Sequence, residues 1–242
     1  MRRRVIGSIL DSIMGLSMMA VTAGSMMASP ALAASPETGA ARFSALGCGG
    51  CHAVTKPDPG MTIAQRVARK GPDLWFAGSK LRADWLKGWL PAPKAISGIR
   101  YDALAPETNP PAHPAAPAKD VPDLTAYLMS LTDPEMPTGV VPRERPDPVG
   151  MLQGRILFSR EQQCFACHRL ETRAGVEAGG ITGPSLEDAG RRLNPDWVYA
   201  YLVDPRRYVP VPRMPVYFGT VYSDYGKAEM LTLARYLETL AP

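Results

Sequence analysis

The chain has 242 residues and a formal net charge of +4, from 27 basic and 23 acidic side chains. An excess this small gives no indication of nucleic-acid or anionic-membrane binding. Four cysteines and three histidines are present, and all four cysteines fall in two short motifs, so none remains for a structural disulfide.

The first predicted element is a secretory signal over residues 1–33. Three arginines at positions 2–4 precede an apolar run to about Ala28, and Ala31-Leu32-Ala33 supplies a cleavage site of small residues. An uncleaved membrane anchor is the alternative, although Asp11 and the glycines weaken a membrane span. We expect a soluble periplasmic protein beginning near residue 34, and removal of three arginines and one aspartate lowers its formal charge to about +2.

Residues 34–133 contain an ordered set of features. A helix with Gly39 and Phe43 one turn apart suits close helix crossing. It is followed by the motif Cys48 to His52, the turn Gly71-Pro72-Asp73-Leu74, an amphipathic stretch opened by Asp84-Trp85-Leu86, and a closing helix with an apolar face of Leu124, Tyr127, Leu128 and Leu131.

Residues 151–242 repeat this order after a proline-rich linker at 134–150, which we expect to be extended and semi-rigid. The repeated features are Gly154 with Phe158, Cys164 to His168, Gly183-Pro184-Ser185-Leu186, Asp196-Trp197-Val198, and a closing helix with Leu233, Tyr236, Leu237 and Leu240. The sequence therefore predicts an all-α protein built from two similar halves.

The two Cys-x-x-Cys-His motifs are typical of c-type haem attachment. In such a motif the two thiols, here Cys48 with Cys51 and Cys164 with Cys167, add across the haem vinyl groups. The adjacent imidazoles of His52 and His168 then bind the iron as proximal ligands. A ligating histidine usually donates its other ring N–H to a carbonyl, and the Gly-Pro turns make the carbonyls of Pro72 and Pro184 our candidates.

This order of elements resembles the class I cytochrome c fold, present twice in tandem, and the resemblance covers nearly all of the mature chain. It is similar to di-haem cytochromes such as cytochrome c4 and the di-haem cytochrome subunits of periplasmic sulfur-compound dehydrogenases. The resemblance implies two covalently bound haem c groups, each wrapped by one domain. Their four propionates, if ionised, would bring the net charge of the holoprotein to about −2.

Met214 is the predicted distal ligand of the second haem. It lies in Arg213-Met214-Pro215, in a proline-rich loop before the closing helix, where class I cytochromes carry their Met-Pro ligand. A thioether ligand raises the reduction potential of haem iron. The alternative is a methionine that only packs the loop.

The first half has no methionine at the equivalent place, and Ala112-His113-Pro114 stands in its distal loop instead. His113 is the histidine left outside the two motifs, so we predict His/His ligation and a lower potential for the first haem. Met136, Met129 or an open iron are the alternatives. Met136 follows the closing helix and Met129 lies on it, which favours a packing role for both.

The sequence thus favours a periplasmic electron-transfer protein over an enzyme. Six-coordinate iron leaves substrate no place to bind, and the expected partners are periplasmic or membrane-bound redox proteins, with membrane contact only through a partner. A di-haem peroxidase would need an open first haem, and a di-haem thiosulfate dehydrogenase would need a cysteine ligand that this chain cannot spare. A zinc site of four thiolates is a third alternative. The oligomeric state and the identity of the partners do not follow from the sequence.

Overall fold

The protein is described by a computed structural model over residues 33–99, 112–161, 164–171, 177–216 and 226–241. The predicted secretory signal lies outside these residues except for Ala33. Helix accounts for 48% of the described structure and strand for 4%, so this part of the chain is mostly helical, which is compatible with the predicted all-α class. From Ala34 onward the chain forms one compact unit. None of the helices in the described part of the chain has the length and apolar character needed to cross a membrane.

Five α-helices lie in the described part of the first half of the compact unit. They are α1 (Pro36–Ala45), α2 (Ile63–Val67), α3 (Ala77–Lys80), α4 (Ala83–Trp89) and α5 (Val121–Ser130). Helix α1 begins where the Ser35 side chain accepts the Thr38 N–H, with a proline at the first helical position. Helix α2 begins with a capping box, in which Thr62 and Gln65 satisfy each other's backbone N–H groups.

The second half contains α6 (Pro148–Ile156), α7 (Ala189–Arg192), α8 (Pro195–Val203) and α9 (Lys227–Glu238). A π-helical turn, Leu157–Glu161, extends α6. Two short strands, β1 (Leu170–Glu171) and β2 (Glu177–Ala178), pair antiparallel with Leu170 opposite Ala178.

The first and last helices of each half cross at a glycine. In the first half a Cβ atom on Gly39 would lie 2.5 Å from the Cβ of Tyr127, and in the second half a Cβ on Gly154 would collide with the Cβ of Tyr236. Only glycine permits such close approach of the two helices. The crossings bury Phe43 and Phe158, as the Gly-x-x-x-aromatic spacing predicts.

Two hydrophobic clusters form the core. The first-half cluster joins Phe43 on α1 with Trp85 and Leu86 on α4 and with Leu124 and Leu128 on α5. The second-half cluster is built mainly by α8, α9 and the segments before them. It also takes in Trp75 and Phe76 from the first half, where Phe76 stacks on Trp197 with ring centroids 6.0 Å apart and Trp75 stacks on Tyr208 at the same distance.

The two halves meet through equivalent residues. Leu81 forms an isolated antiparallel bridge with Leu193, the residue 112 positions later, which is also the spacing between Trp85 and Trp197. Two reciprocal hydrogen bonds flank this bridge: the Arg82 N–H donates to the Arg192 carbonyl at 2.9 Å, and the Asn194 N–H donates to the Lys80 carbonyl at 2.8 Å.

Cation–π contacts repeat the same reciprocity. The Lys80 ammonium lies 4.8 Å from the ring centroid of Trp197, and the Arg192 guanidinium lies 5.9 Å from that of Trp85. Each half thus places its cation over the aromatic side chain of the other. The halves are therefore packed against each other with an approximate two-fold relation.

The proline-rich segment 134–147 has no regular structure, but it is not a free spacer. The buried carboxylate of Asp196, at the start of α8, accepts the backbone N–H groups of Gly139, Val140 and Val141 at 2.8, 3.0 and 2.8 Å. The Arg143 side chain donates to the same carboxylate at 3.2 Å. Residues 139–143 of the predicted linker are therefore held against the second half.

Candidate functional site: two Cys-x-x-Cys-His motifs

Each Cys-x-x-Cys-His motif folds as one helical turn. The 3₁₀ turns Cys48–Gly50 and Cys164–Ala166 bring the N–H of His52 to the Cys48 carbonyl at 3.0 Å and that of His168 to the Cys164 carbonyl at 2.9 Å. All four cysteines are free thiols. The turn presents both sulfurs and the imidazole from one short segment, as attachment to a single group requires.

The two motifs bury equivalent cysteines and expose equivalent cysteines. The first cysteine of each motif packs inward, Cys48 against the first-half cluster and Cys164 within the second-half cluster, while Cys51 and Cys167 are exposed. Burial raises the pKa of Cys48, and it raises the pKa of Cys164 to about 11. Both are therefore neutral thiols at physiological pH.

A proline carbonyl orients each motif histidine. The Nδ1 atom of His52 lies 2.8 Å from the Pro72 carbonyl oxygen, and that of His168 lies 2.8 Å from the Pro184 carbonyl oxygen. A carbonyl only accepts, so Nδ1 carries the proton in both rings and Nε2 keeps its lone pair for a metal. The predicted acceptors Pro72 and Pro184 are confirmed.

The glycine before each proline lets the turn approach the ring. A Cβ atom on Gly71 would lie 2.8 Å from Cε1 of His52, and a Cβ on Gly183 would lie 2.6 Å from Cε1 of His168. Any larger residue would displace the imidazole. The Gly-Pro turn therefore has two functions, since it supplies the acceptor and fits closely against the ring that donates to it.

The environment of His168 favours its neutral form. Burial lowers the pKa of His168; the hydrogen bond to Pro184 opposes this, and the positive charge of Arg192 adds to the lowering. Neutral imidazole is the form that binds a metal.

His113 lies beside the first motif, although 61 residues separate it from His52. The two ring centroids are 5.9 Å apart, with the ring planes at 39°. The Nδ1 atom of His113 is 2.8 Å from the Pro114 carbonyl oxygen and must donate to it, so Nε2 is again the nitrogen with a free lone pair. Partial burial lowers the pKa of His113; the Pro114 hydrogen bond opposes this, and His52 adds to the lowering.

Met214 lies in the loop after the 3₁₀ turn Pro205–Arg207 and packs, partly buried, against the second-half cluster. Met136 packs against that same cluster rather than against the first-half cluster. Met129 lies on α5, where its backbone faces Gly78 at the start of α3. The structure therefore gives the Met136 side chain a packing contact and gives Met129 a backbone contact.

The His52 and His113 rings have a separation that two ligands of one metal ion would require. Two imidazoles bound to one metal ion through opposite nitrogens have ring centres about 6 Å apart, because each metal–nitrogen bond is about 2 Å. The observed 5.9 Å between His52 and His113 matches that spacing. Among the described residues no three histidine, cysteine, aspartate or glutamate side chains converge as a metal-binding group.

Sequence reasoning missed the side chain that covers His113. The indole of Trp89, at the last residue of α4, lies 4.7 Å from the His113 ring centroid. No motif marks this contact, because Trp89 and His113 are 24 positions apart in the sequence. The one available signal is helical spacing, since Trp85 and Trp89 lie one turn apart.

No protein-family model, no curated protein and no solved structure significantly matches the chain.

Proposed function

We propose that the protein is a periplasmic di-haem cytochrome c that relays electrons between redox partners. Its two halves would be tandem class I cytochrome c domains, each wrapped around one covalent haem. Cys48 and Cys51 would hold the first haem, with His52 and His113 as axial ligands. Cys164 and Cys167 would hold the second, with His168 and Met214. Each haem supplies one-electron redox chemistry when bound.

The observation that carries this proposal is the equivalence of the two proximal histidines. Both are held by a carbonyl at the same 2.8 Å distance from a Gly-Pro turn, and both follow a Cys-x-x-Cys helical turn. A carbonyl acceptor on Nδ1 fixes the ring orientation and makes Nε2 a stronger ligand. Histidines that served only packing would not need the same tautomer in both halves.

The difference between the distal positions suggests the direction of electron flow. An imidazole opposite His52 leaves the first haem with the lower potential, whereas a thioether raises that of the second. Electrons would then pass downhill from the first half to the second. Periplasmic or membrane-bound redox proteins would donate and accept them, either with the protein as a free shuttle or with it as the cytochrome subunit of an oxidoreductase.

Spectroscopy of the secreted protein tests the proposal. We expect two haems per chain that remain attached after denaturation, two low-spin signals, and one methionine–iron charge-transfer band that integrates to a single haem. Loss of the first 33 residues, read from the mass of the mature protein, would support export. Absence of a covalent chromophore would refute the proposal.

Ligand variants test the assignment of each distal residue. His113→Ala should convert one haem to high spin, and Met214→Leu should abolish the methionine–iron band. Met136→Leu is the matched control for Met214→Leu, because Met136 packs against the same cluster and should leave the band unchanged. Turnover of hydrogen peroxide by the unmodified protein, together with a high-spin first haem, would favour the peroxidase alternative.

A further inference from the structure

Helix α4 supports the loop that carries His113. The Trp89 ring lies 4.7 Å from the His113 ring at a tilt of 55°, and the Trp89 indole N–H donates to the Lys94 carbonyl at 3.0 Å. The Ala116 N–H donates to the Leu90 carbonyl at 2.8 Å, which joins the same loop to the end of the helix. Because Trp89 is fixed by its own hydrogen bond, its ring is a rigid surface for the exposed His113 imidazole.

Trp85 connects Trp89 to the second half. The two indoles stack one turn apart on α4, with centroids 5.5 Å apart and planes at 20°. The Trp85 indole N–H donates to Oδ2 of Asp188 at 3.0 Å, and the Arg192 guanidinium lies over its ring. A chain of contacts therefore runs from Asp188 in the second half, through two indoles, to His113 in the first.

We propose that Trp89 is the positioning residue for His113, and that the second half, through Asp188 and Trp85, controls how firmly His113 occupies the distal side of the first haem. The inference rests on the proposed function, because it assigns His113 as a ligand. It adds regulation, since distal ligation in one half depends on docking of the other. Trp89 neither binds iron nor attaches haem, and it acts only through His113.

The second half offers a matched control. Trp197 and Tyr201 occupy the positions equivalent to Trp85 and Trp89, and they stack with centroids 4.9 Å apart at 26°. Tyr201 packs toward Tyr208 at 6.1 Å rather than toward a histidine. The residue equivalent to Asp188 is Phe76, which stacks on Trp197 and offers it no acceptor. The same stack is therefore present twice; among the described contacts, the copy on α4 meets His113 and the copy on α8 meets Tyr208.

The test uses full-length secreted holoprotein with Trp89→Leu, Trp89→Phe, Trp85→Phe and Tyr201→Leu. Two quantities are measured in each variant: the high-spin ferric signal by electron paramagnetic resonance, and the rate of carbon monoxide binding to the reduced protein. Trp89→Leu removes the aromatic surface beneath His113. We expect a high-spin signal from one haem and carbon monoxide binding that is several-fold faster, with the methionine–iron band of the second haem unchanged.

The other variants separate positioning from general damage. Trp89→Phe keeps an aromatic surface and should restore most of the wild-type behaviour. Trp85→Phe keeps the aromatic stack but loses the hydrogen bond to Asp188. It should therefore raise the high-spin signal and the carbon monoxide binding rate, but by less than Trp89→Leu does. Tyr201→Leu should leave the first haem as in the wild type. If Trp89→Leu does not retain haem, the milder Trp89→Phe and Trp85→Phe series decides.

Two results overturn the inference. A Trp89→Leu protein with both haems attached and wild-type spin state and binding rate would show that Trp89 does not position His113. A wild-type spectrum in His113→Ala would show that His113 is not a ligand. If that variant still carries two covalent haems, the di-haem proposal is unaffected. A wild-type protein without covalent haem would instead refute the proposed function.

Discussion

Replacement of Asp196 by alanine should destabilise the protein more than its position at a helix start suggests. The Asp196 side chain is only 3% exposed and accepts hydrogen bonds from three consecutive backbone N–H groups and from Arg143. The variant removes the only acceptor that the structure gives these N–H groups. It therefore removes the hydrogen bonds that hold residues 139–143 against the second half.

The magnitude follows from where the three donors lie. Val141 is 1% exposed, so its N–H would stay buried and unpaired, at a cost of about 2 kcal/mol. Gly139 is exposed and Val140 half-buried, so their N–H groups can turn to water and each lost bond costs about 1 kcal/mol. The expected loss of unfolding free energy is about 4 kcal/mol, which lowers the melting temperature by roughly 10 °C in a chain of this length.

The assay is guanidinium unfolding of the holoprotein followed by far-ultraviolet circular dichroism, with Asp84→Ala as the matched control. Asp84 is the repeat equivalent of Asp196, but its side chain is 97% exposed and pairs only with Lys87 at 3.2 Å. Removing such a surface pair should have no measurable effect. Equal losses in the two variants would refute the assignment of the anchoring role to the buried carboxylate.

Two further changes have defined outcomes. Gly183→Ala places a Cβ 2.6 Å from the His168 ring. It should perturb the absorption of the proposed second haem alone and cost about 1–3 kcal/mol of stability. Gly88→Ala is the control and should do neither, because its added Cβ would meet no atom within 4 Å beyond its own helix and chain neighbours. Arg207→Gln breaks the two hydrogen bonds, of 2.6 and 2.7 Å, that the Arg207 guanidinium donates to the Asp133 carboxylate. The loss should lower the free energy of unfolding by about 2 kcal/mol at neutral pH. Burial acts to raise the pKa of Asp133, but the hydrogen bonds and charge of Arg207 outweigh it, so that pKa is lowered. The stabilisation is thus present above about pH 4 and is lost as the pH falls through the folded-state pKa of Asp133. Acid titration of the wild type and of Arg207→Gln should show that their difference in stability shrinks below about pH 4. A difference that is independent of pH would contradict this.

Local features of the site could be predicted because they are written in short stretches of sequence. The Gly-Pro turn identified Pro72 and Pro184 as acceptors, and the apolar spacing of the closing helices identified Leu124 and Leu237 as core residues. In these cases residues a few positions apart determine the structure. The contact between Gly39 and the last helix of its half joins residues that are far apart in the sequence. It could still be predicted, because the same pattern is repeated at Gly154.

The packing between the halves could not be predicted in the same way. Asp84-Trp85 and Asp196-Trp197 look identical in sequence, yet Asp84 is exposed and Asp196 is buried beneath the linker. The difference arises because a single linker lies against only one half. The environments of Trp85 and Trp197 differ for a related reason. Each indole contacts residues of the opposite half, and the sequence does not show which residues those are.

The bridge between Leu81 and Leu193 has the form of an isologous dimer contact contained in one polypeptide. In a homodimer of single repeats, every change would appear on both sides of the axis, and assembly would depend on protein concentration. Fusion of the repeats makes the association intramolecular and independent of concentration. It also allows the copies to diverge, so that one can keep His113 beside its motif while the other carries Met214. A symmetric homodimer could not carry two unlike sites, as the proposed pair of haems requires.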